Sequence, residues 1–402
     1  MTRPQKIYLD YAATTPVDPV VLRAMRPYLS EKFGNAGSLH SFGQEAIAAL
    51  DRSRETMAAS INAGFREVIF TGSATEANNL AIRGIVKKFF ISDRRSTKPR
   101  IIVSSIEHES VLETARDLES DGIEVVYLPV DETGVVDLKK LEASLNKDTV
   151  LVSVMYANNE TGTIQPIQKI AEIIKTFKKE HFNEETYYPL FHTDASQAFQ
   201  FLNCTVADLG IDLMTLSSHK IYGPKGVGVL YAKQTSRLSS TMTGGGQEFG
   251  LRSGTENIPA IVGFAKAAKL SANSRELADQ KIRELRNELW RGIKKICPKA
   301  EINGMPFFQS VATRDISCLP NILNVYFPGH DAQDLLTKFD LLGLAASSGS
   351  ACRARATLSS YVIEALGYSK ERTGSSVRFS LGRPTTKAEI AHTLRIIKKT
   401  AN

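Results

Sequence analysis

The chain has 402 residues, 42% of them hydrophobic, too many for one small domain and enough for a substantial core. Its 50 Lys and Arg against 43 Asp and Glu leave a net charge of +7, but the charges are dispersed. With no basic run interleaved with aromatics, the pattern disfavours direct nucleic-acid binding and suits anionic ligands or acidic protein partners. The four cysteines, Cys204, Cys297, Cys318 and Cys352, form no CxxC pair, so neither a zinc site nor a dithiol motif is expected. The N-terminus lacks a signal-peptide pattern and no apolar run reaches membrane-spanning length, which predicts a cytoplasmic, thiol-reduced protein.

Along the chain, short β-rich runs alternate with helical ones. Strands are predicted at 68–71, 100–104, 123–128, 149–154, 189–193, 213–217 and 226–231. Helices are predicted at 74–86, 107–121 and 166–178. This alternation predicts a mostly parallel sheet covered on both faces. Such sheets bind ligands at the carboxyl ends of their strands, where Thr71, Ser104, Asp194 and Ser217 would fall. The polar stretch 178–185 reads as a surface loop. Gly244-Gly-Gly246 marks a break, followed by a long charged helix at 273–297 and strands at 321–327 and 377–381. The expected organisation is a large domain over 21–260 and a smaller α+β domain over 261–402. The latter would also recruit residues 1–20.

Four motifs carry chemistry. Thr71-Gly-Ser-Ala-Thr-Glu-Ala-Asn-Asn79 runs from a strand end into a helix start. Free N–H groups there, beside Ser and Thr hydroxyls, form an anion cradle, and the alternative is an ordinary helix cap. In His192-Thr-Asp-Ala-Ser-Gln197 the carboxylate suits either an ion pair with a cationic ring nitrogen or an N-cap. His108, in Ile106-Glu-His-Glu109, suits a buried core group, a ring stacked on an aromatic ligand, or a proton shuttle. Ser217-Ser-His-Lys220 ends a strand and precedes Gly223, Gly226 and Gly228, which allow tight turns beside a bulky group. A planar, phosphorylated pyridine aldehyde would use all four. That cofactor is pyridoxal phosphate, joined to a lysine as a Schiff base.

The motifs YLDYAATTP at 8–16, SATEANN, ANNETG at 157–162, HTDASQ, SSHKIYGPKGVG, RSGT at 252–255, SSGSAC and RFSLGR at 378–383 appear in this order. The chain thereby resembles, over nearly its whole length, the NifS/IscS cysteine desulfurases of the class V aminotransferase group. The resemblance implies an α/β architecture of the pyridoxal-phosphate transferase fold type I. A large domain with a mostly parallel seven-stranded sheet would be joined to a smaller C-terminal α+β domain. It implies that Lys220 carries the cofactor, His108 stacks on its ring, Asp194 pairs with the ring nitrogen and Gln197 with the phenolic oxygen. Ala74, Thr75, Ser217 and His219 would hold the phosphate, with Thr255 reaching over from the partner in a homodimer. Asn159 and Arg378 would hold the α-carboxylate of L-cysteine. Asn159 would also border the cofactor.

Cys352 would take the sulfur as a persulfide and pass it to an acceptor for iron–sulfur cluster assembly or thiolation. Its neighbours Gly349, Ser350, Arg353 and Arg355 also suit a reactive thiol, since nearby arginines favour the thiolate. Arg353 and Arg355 stand where the family has small or polar residues. The chain ends at Asn402, where housekeeping members carry a longer scaffold-docking tail. These departures leave the acceptor open. A selenocysteine lyase or another aminotransferase-type enzyme would share the scaffold, whereas a sulfur carrier without cofactor would not need Lys220 and Asp194.

Overall fold

The structure, a computed structural model, describes residues 6–92, 98–182, 187–233, 238–306, 318–349 and 360–401. A short strand, β1 (Ile7–Tyr8), comes first. Seven strands then build the main sheet: β2 (Val68–Thr71), β3 (Arg100–Ser104), β4 (Glu124–Leu128), β5 (Thr149–Ser153), β6 (Leu190–Asp194), β7 (Leu213–Ser217) and β8 (Gly228–Ala232). Their spatial order is β2-β8-β7-β6-β5-β3-β4. Only β8 runs against the rest, being antiparallel to both β2 and β7. The remaining pairs are parallel. The mostly parallel, seven-stranded sheet anticipated from the sequence is therefore present. Strands β5, β6, β7 and β8 are buried along their whole length, the reason they read as continuous apolar runs rather than alternating ones.

The C-terminal part contributes β9 (Glu301–Ile302), β10 (Ile322–Tyr326), β11 (Leu344–Ala345) and β12 (Ser376–Ser380). A three-stranded sheet has the order β12-β10-β9, while β1 pairs in parallel with β11. Just beyond β1, Asp10 bridges to Ser380. Residues 7–15 thus run between the C-terminal strands and the end of β7, where the Thr15 N–H meets the His219 carbonyl.

Several elements differ from the sequence reading. The long helix begins at Ile258, not 273, and ends at Ile296. At 1.5 Å per residue its 39 residues span roughly 58 Å, long enough to cross from one part of the protein to the other. It packs against the helices Pro19–Met25, Ser41–Ile61 and Lys387–Thr400, none of which was anticipated. The helix after β2 continues to Ser92. Of the stretch 178–185 expected as a loop, 178–181 form the last turn of the helix Ile167–His181, and 183–185 lie outside the described residues. That helix buries Ile167, Ile170, Ile174 and Phe177 on one face, and Lys178, Lys179 and His181 complement its C-terminal dipole. Among the described residues no helix is long and apolar enough to cross a membrane.

Candidate active site

Thr71, Ser104, Asp194 and Ser217 are the last residues of β2, β3, β6 and β7. Because these four strands point the same way, their ends lie along one edge of the sheet. A cavity of about 270 Å3 opens there. It is lined by Ala74, Thr75, His108, Asn159, Asp194, Gln197, Ser217, His219, Lys220 and Arg378. All the sequence-predicted site residues that the structure describes are in this set except Thr255, which is exposed and does not line the cavity. Cys352, with Arg353 and Arg355, lies outside the described residues.

The cradle is built at the start of the helix Ala74–Ser92. Ser73 Oγ accepts the Glu76 N–H at 3.1 Å, so the cap reading is correct for Ser73. Ala74 and Thr75 follow it in the first turn, where N–H groups have no partner within the helix. Strand β8 passes directly beneath this turn. A Cβ placed on Gly228 would lie 2.5 Å from Ser73 C and 2.7 Å from Ala74 N. Any larger residue would push the cradle away from the sheet.

Asp194 is 6% exposed and each of its oxygens has a partner. Oδ1 accepts the Ser196 N–H at 2.9 Å, and Oδ2 accepts from Asn78 Nδ2 at 2.8 Å. The carboxyl is thus both a local turn cap and a group held in place by the cradle helix. Asn78 also donates to Ser110 Oγ at 2.8 Å. Ser110 in turn stands 2.9 Å from His108 Nδ1, and its N–H donates to that nitrogen at 3.1 Å. His108 is therefore the N-cap of the helix Glu109–Ser120. Sequence reasoning assigned nothing to Asn78 or Ser110. The signal was present in the spacing, since Asn78 stands one helical turn after Ala74.

Lys220 Nζ donates to the carbonyls of Ala12 and Ala13 at 2.7 and 2.8 Å. Gln197 Nε2 donates to the same Ala12 carbonyl at 2.9 Å. These N-terminal carbonyls were also missed, although they belong to the quoted YLDYAATTP motif. Arg378 is 1% exposed. It donates to the Asn159 carbonyl at 2.9 Å and to Asp10 Oδ1 at 2.8 Å. Its Nε is buried without a hydrogen-bond partner among the described residues. Such an unsatisfied donor in a cavity wall suits an anionic group.

The surroundings of His108, His219 and His192 disfavour the protonated imidazole. Burial lowers the His108 pKa; Asp194 opposes this and Lys220 adds to it. His219 is pushed down to about 3, first by burial and then by Lys220 and Lys225. Burial also pushes His192 down to about 4, against the pull of Asp194. The wholly buried Glu107 moves the other way: burial raises its pKa well above the usual carboxylate range, against the Met155 N–H it accepts at 2.5 Å.

His192 gives a prediction. Its ring lies 2.8 Å from Ser153 Oγ and 3.1 Å from Thr215 Oγ1, under the site. A folded pKa below the unfolded value of about 6.5 means that the unfolded chain binds the extra proton. The contribution to stability is complete above that value and is lost as pH falls toward about 4, by about 1.4 kcal/mol per pH unit. Denaturant midpoints measured from pH 6.5 to 5 should fall more steeply in the wild type than in His192→Gln. Equal slopes would refute the assignment.

The donor set fits pyridoxal phosphate: an amine, a carboxyl on a turn, an imidazole, a helix-start cradle and a buried guanidinium share one cavity wall. Comparison with known proteins agrees. The family model described as aminotransferase class-V matches residues 7–392. A cysteine desulfurase IscS of Dictyoglomus turgidum is 40% identical over 395 residues, covering 98% of this chain and 94% of that protein. A solved NifS-like protein superposes with a TM-score of 0.87 at 34% identity, covering 98% and 99% of the two chains. A structure described as SspA in complex with cysteine gives a TM-score of 0.76 at 33% identity, covering 95% and 100%. Those matches span both the sheet that carries Lys220 and the C-terminal strand that carries Arg378, and the chain belongs to the cysteine desulfurases of the class-V aminotransferase family.

Proposed function

We propose that this protein converts L-cysteine to L-alanine and keeps the sulfur as a persulfide on Cys352. One observation carries the reading: Lys220, Asp194, His108 and Arg378 converge on one cavity beside a helix-start cradle, in a chain of this family. Pyridoxal phosphate, the family's cofactor, supplies an electron sink when bound. Lys220 would hold it covalently through Nζ and, once released, move the substrate α-proton. Asp194 would face its ring nitrogen, Gln197 its phenolic oxygen, and His108 and Asn159 would border the ring. Ala74, Thr75, Ser217 and His219 would hold the phosphate. Arg378, steadied by Asp10 and the Asn159 carbonyl, would bind the substrate carboxylate. In the net reaction the substrate Cβ–S bond breaks, carbon gains a proton, and an S–S bond forms to Cys352. The solved relative described as bound to cysteine supports this substrate class. A turnover assay that follows alanine and sulfide with L-cysteine, then L-selenocysteine, tests it. Exclusive turnover of selenocysteine would overturn it.

The same reading makes the active form a homodimer. Thr255 is exposed and stands outside its own chain's cavity, as expected of a residue that serves the partner's phosphate site. Its loop is anchored at two points just before it. Arg54 and Glu248 form a buried bidentate pair at 2.7 Å, and Arg252 Nε donates to Glu76 at 2.7 Å. Glu248 and Phe249 adopt positive φ within this loop. Thr255→Ala should weaken cofactor retention several-fold while leaving the dimer intact. Sedimentation that finds a fully active monomer would refute the reading.

A further inference from the structure

Glu160 follows Asn159 in the ANNETG stretch and is 1% exposed. Its backbone is fixed: the N–H donates to Asn158 Oδ1 at 2.8 Å and the carbonyl accepts from Asn324 Nδ2 at 3.2 Å. Two segments distant in sequence meet its side chain. Ser360 Oγ donates to Glu160 Oε2 at 2.5 Å. The same hydroxyl accepts the Ile363 N–H at 3.2 Å and so caps the helix Tyr361–Ala365. Gly349 approaches the same oxygen, since a Cβ built on it would lie 2.7 Å from Oε2 and 3.1 Å from the carboxyl carbon. Its φ of +143° independently favours glycine.

Gly349 is tied in turn to the substrate side of the cavity. Ser347 Oγ donates to the Gly349 carbonyl at 3.0 Å. The Ser347 and Arg378 backbones exchange hydrogen bonds of 3.1 and 2.6 Å. Thus one buried carboxyl bonds Ser360 and packs against Gly349, which stand on either side of 350–359, and it belongs to the residue directly after Asn159, whose carbonyl steadies Arg378.

We propose that Glu160 is a positioning residue for sulfur transfer. Its carboxyl sets the points from which the chain leaves for Cys352 and returns, relative to Arg378 and Asn159. This rests on the assignment of Cys352 as sulfur acceptor. The physical case is one of alignment: a shift of about 1 Å at a reacting atom costs on the order of 10²-fold in rate. Ser360 is hydrogen-bonded to this carboxyl and Gly349 packs against it, so a shift of the one group moves both ends of the connection together.

The test uses the holoenzyme with Glu160→Ala, Glu160→Gln and Ser360→Ala. The Ala variants should load pyridoxal phosphate fully and change their absorbance with L-cysteine at an unchanged half-saturating concentration. In a single turnover they should form the Cys352 persulfide at least tenfold more slowly. Glu160→Gln keeps an oxygen acceptor for Ser360 and should recover most of the rate. The double Ala variant should be no slower than Glu160→Ala, because both changes remove one interaction. Wild-type persulfide rates in both Ala variants would overturn the proposal. So would a loss of cofactor loading in step with the rate, which would make Glu160 a general strut. If Glu160→Ala fails to fold, Ser360→Ala decides alone. An inactive Cys352→Ala control keeps this test separate from that of the acceptor assignment, which a fully active Cys352→Ala would overturn instead.

Discussion

Lys220→Ala should abolish covalent retention of the cofactor and lower turnover of L-cysteine by on the order of 10³-fold or more. Two losses combine. The amine proposed to bind the cofactor carbonyl disappears, and so does the proposed base for the α-proton, a role that contributes 10²–10⁴-fold in general. Three features of the structure support Lys220 in both proposed roles. It ends the Ser218–Lys220 turn directly after β7, lines the cavity, and has its Nζ fixed by the Ala12 and Ala13 carbonyls. Lys225, five residues on, is exposed. Removing the two hydrogen bonds costs about 1–3 kcal/mol of stability, so the variant should still fold. Borohydride reduction of the wild type should leave the cofactor on the peptide containing Lys220. A label on Lys225, or a Lys220→Ala enzyme with near-normal turnover, would sink the assignment.

Lys220, Asp194 and His108 were legible because a parallel sheet collects its chemistry at one edge. A short polar motif after an apolar run is then enough to locate a group in space. Strands β5 to β8 were legible for a related reason, since burial on both faces demands unbroken apolar runs. The helix Ser41–Ile61 was not. Its buried face includes Gly43, Ser53 and the charged Arg54, which finds Glu248 almost two hundred residues later. No local period announces a buried arginine. The long helix was read only from 273 because its first part, 258–272, lacks the alternation of charge that marks the rest. Several of those residues, among them Ile261, Phe264 and Ala268, are buried between neighbouring elements.

The supporting contacts of the site were less visible than its reactive groups. Asn78 holds Asp194 across 116 positions, and the Ala12 carbonyl receives Lys220 across 208. Such partners are chosen by the fold, and an alanine whose function is a carbonyl oxygen carries no signature in its side chain. Glu160 belongs to the same class: its motif was visible, but Gly349 and Ser360, which meet its side chain, stand 189 and 200 residues away.

Cys352→Ala separates cofactor chemistry from sulfur removal. The groups proposed for the first, Lys220, His108 and Asp194, surround the cavity and are untouched by the change. The variant should therefore bind pyridoxal phosphate as the wild type does and alter its absorbance when L-cysteine is added. It should release almost no alanine or sulfide, because the thiolate that accepts the substrate sulfur is gone. The other cysteines do not offer a substitute. Cys204 and Cys318 are buried, and burial pushes the Cys204 thiol up to about 12, far from the thiolate form. The Cys297 thiol is also raised by burial, and it donates to the Ala401 carbonyl at 2.9 Å. A finer test follows from the sequence around the nucleophile. Replacing Arg353 and Arg355 with Ala should raise the pH at which Cys352 is alkylated, since two nearby positive charges favour its thiolate. If Cys352→Ala keeps near-normal turnover of L-cysteine, sulfur leaves by direct elimination, and a lyase reading replaces the desulfurase one.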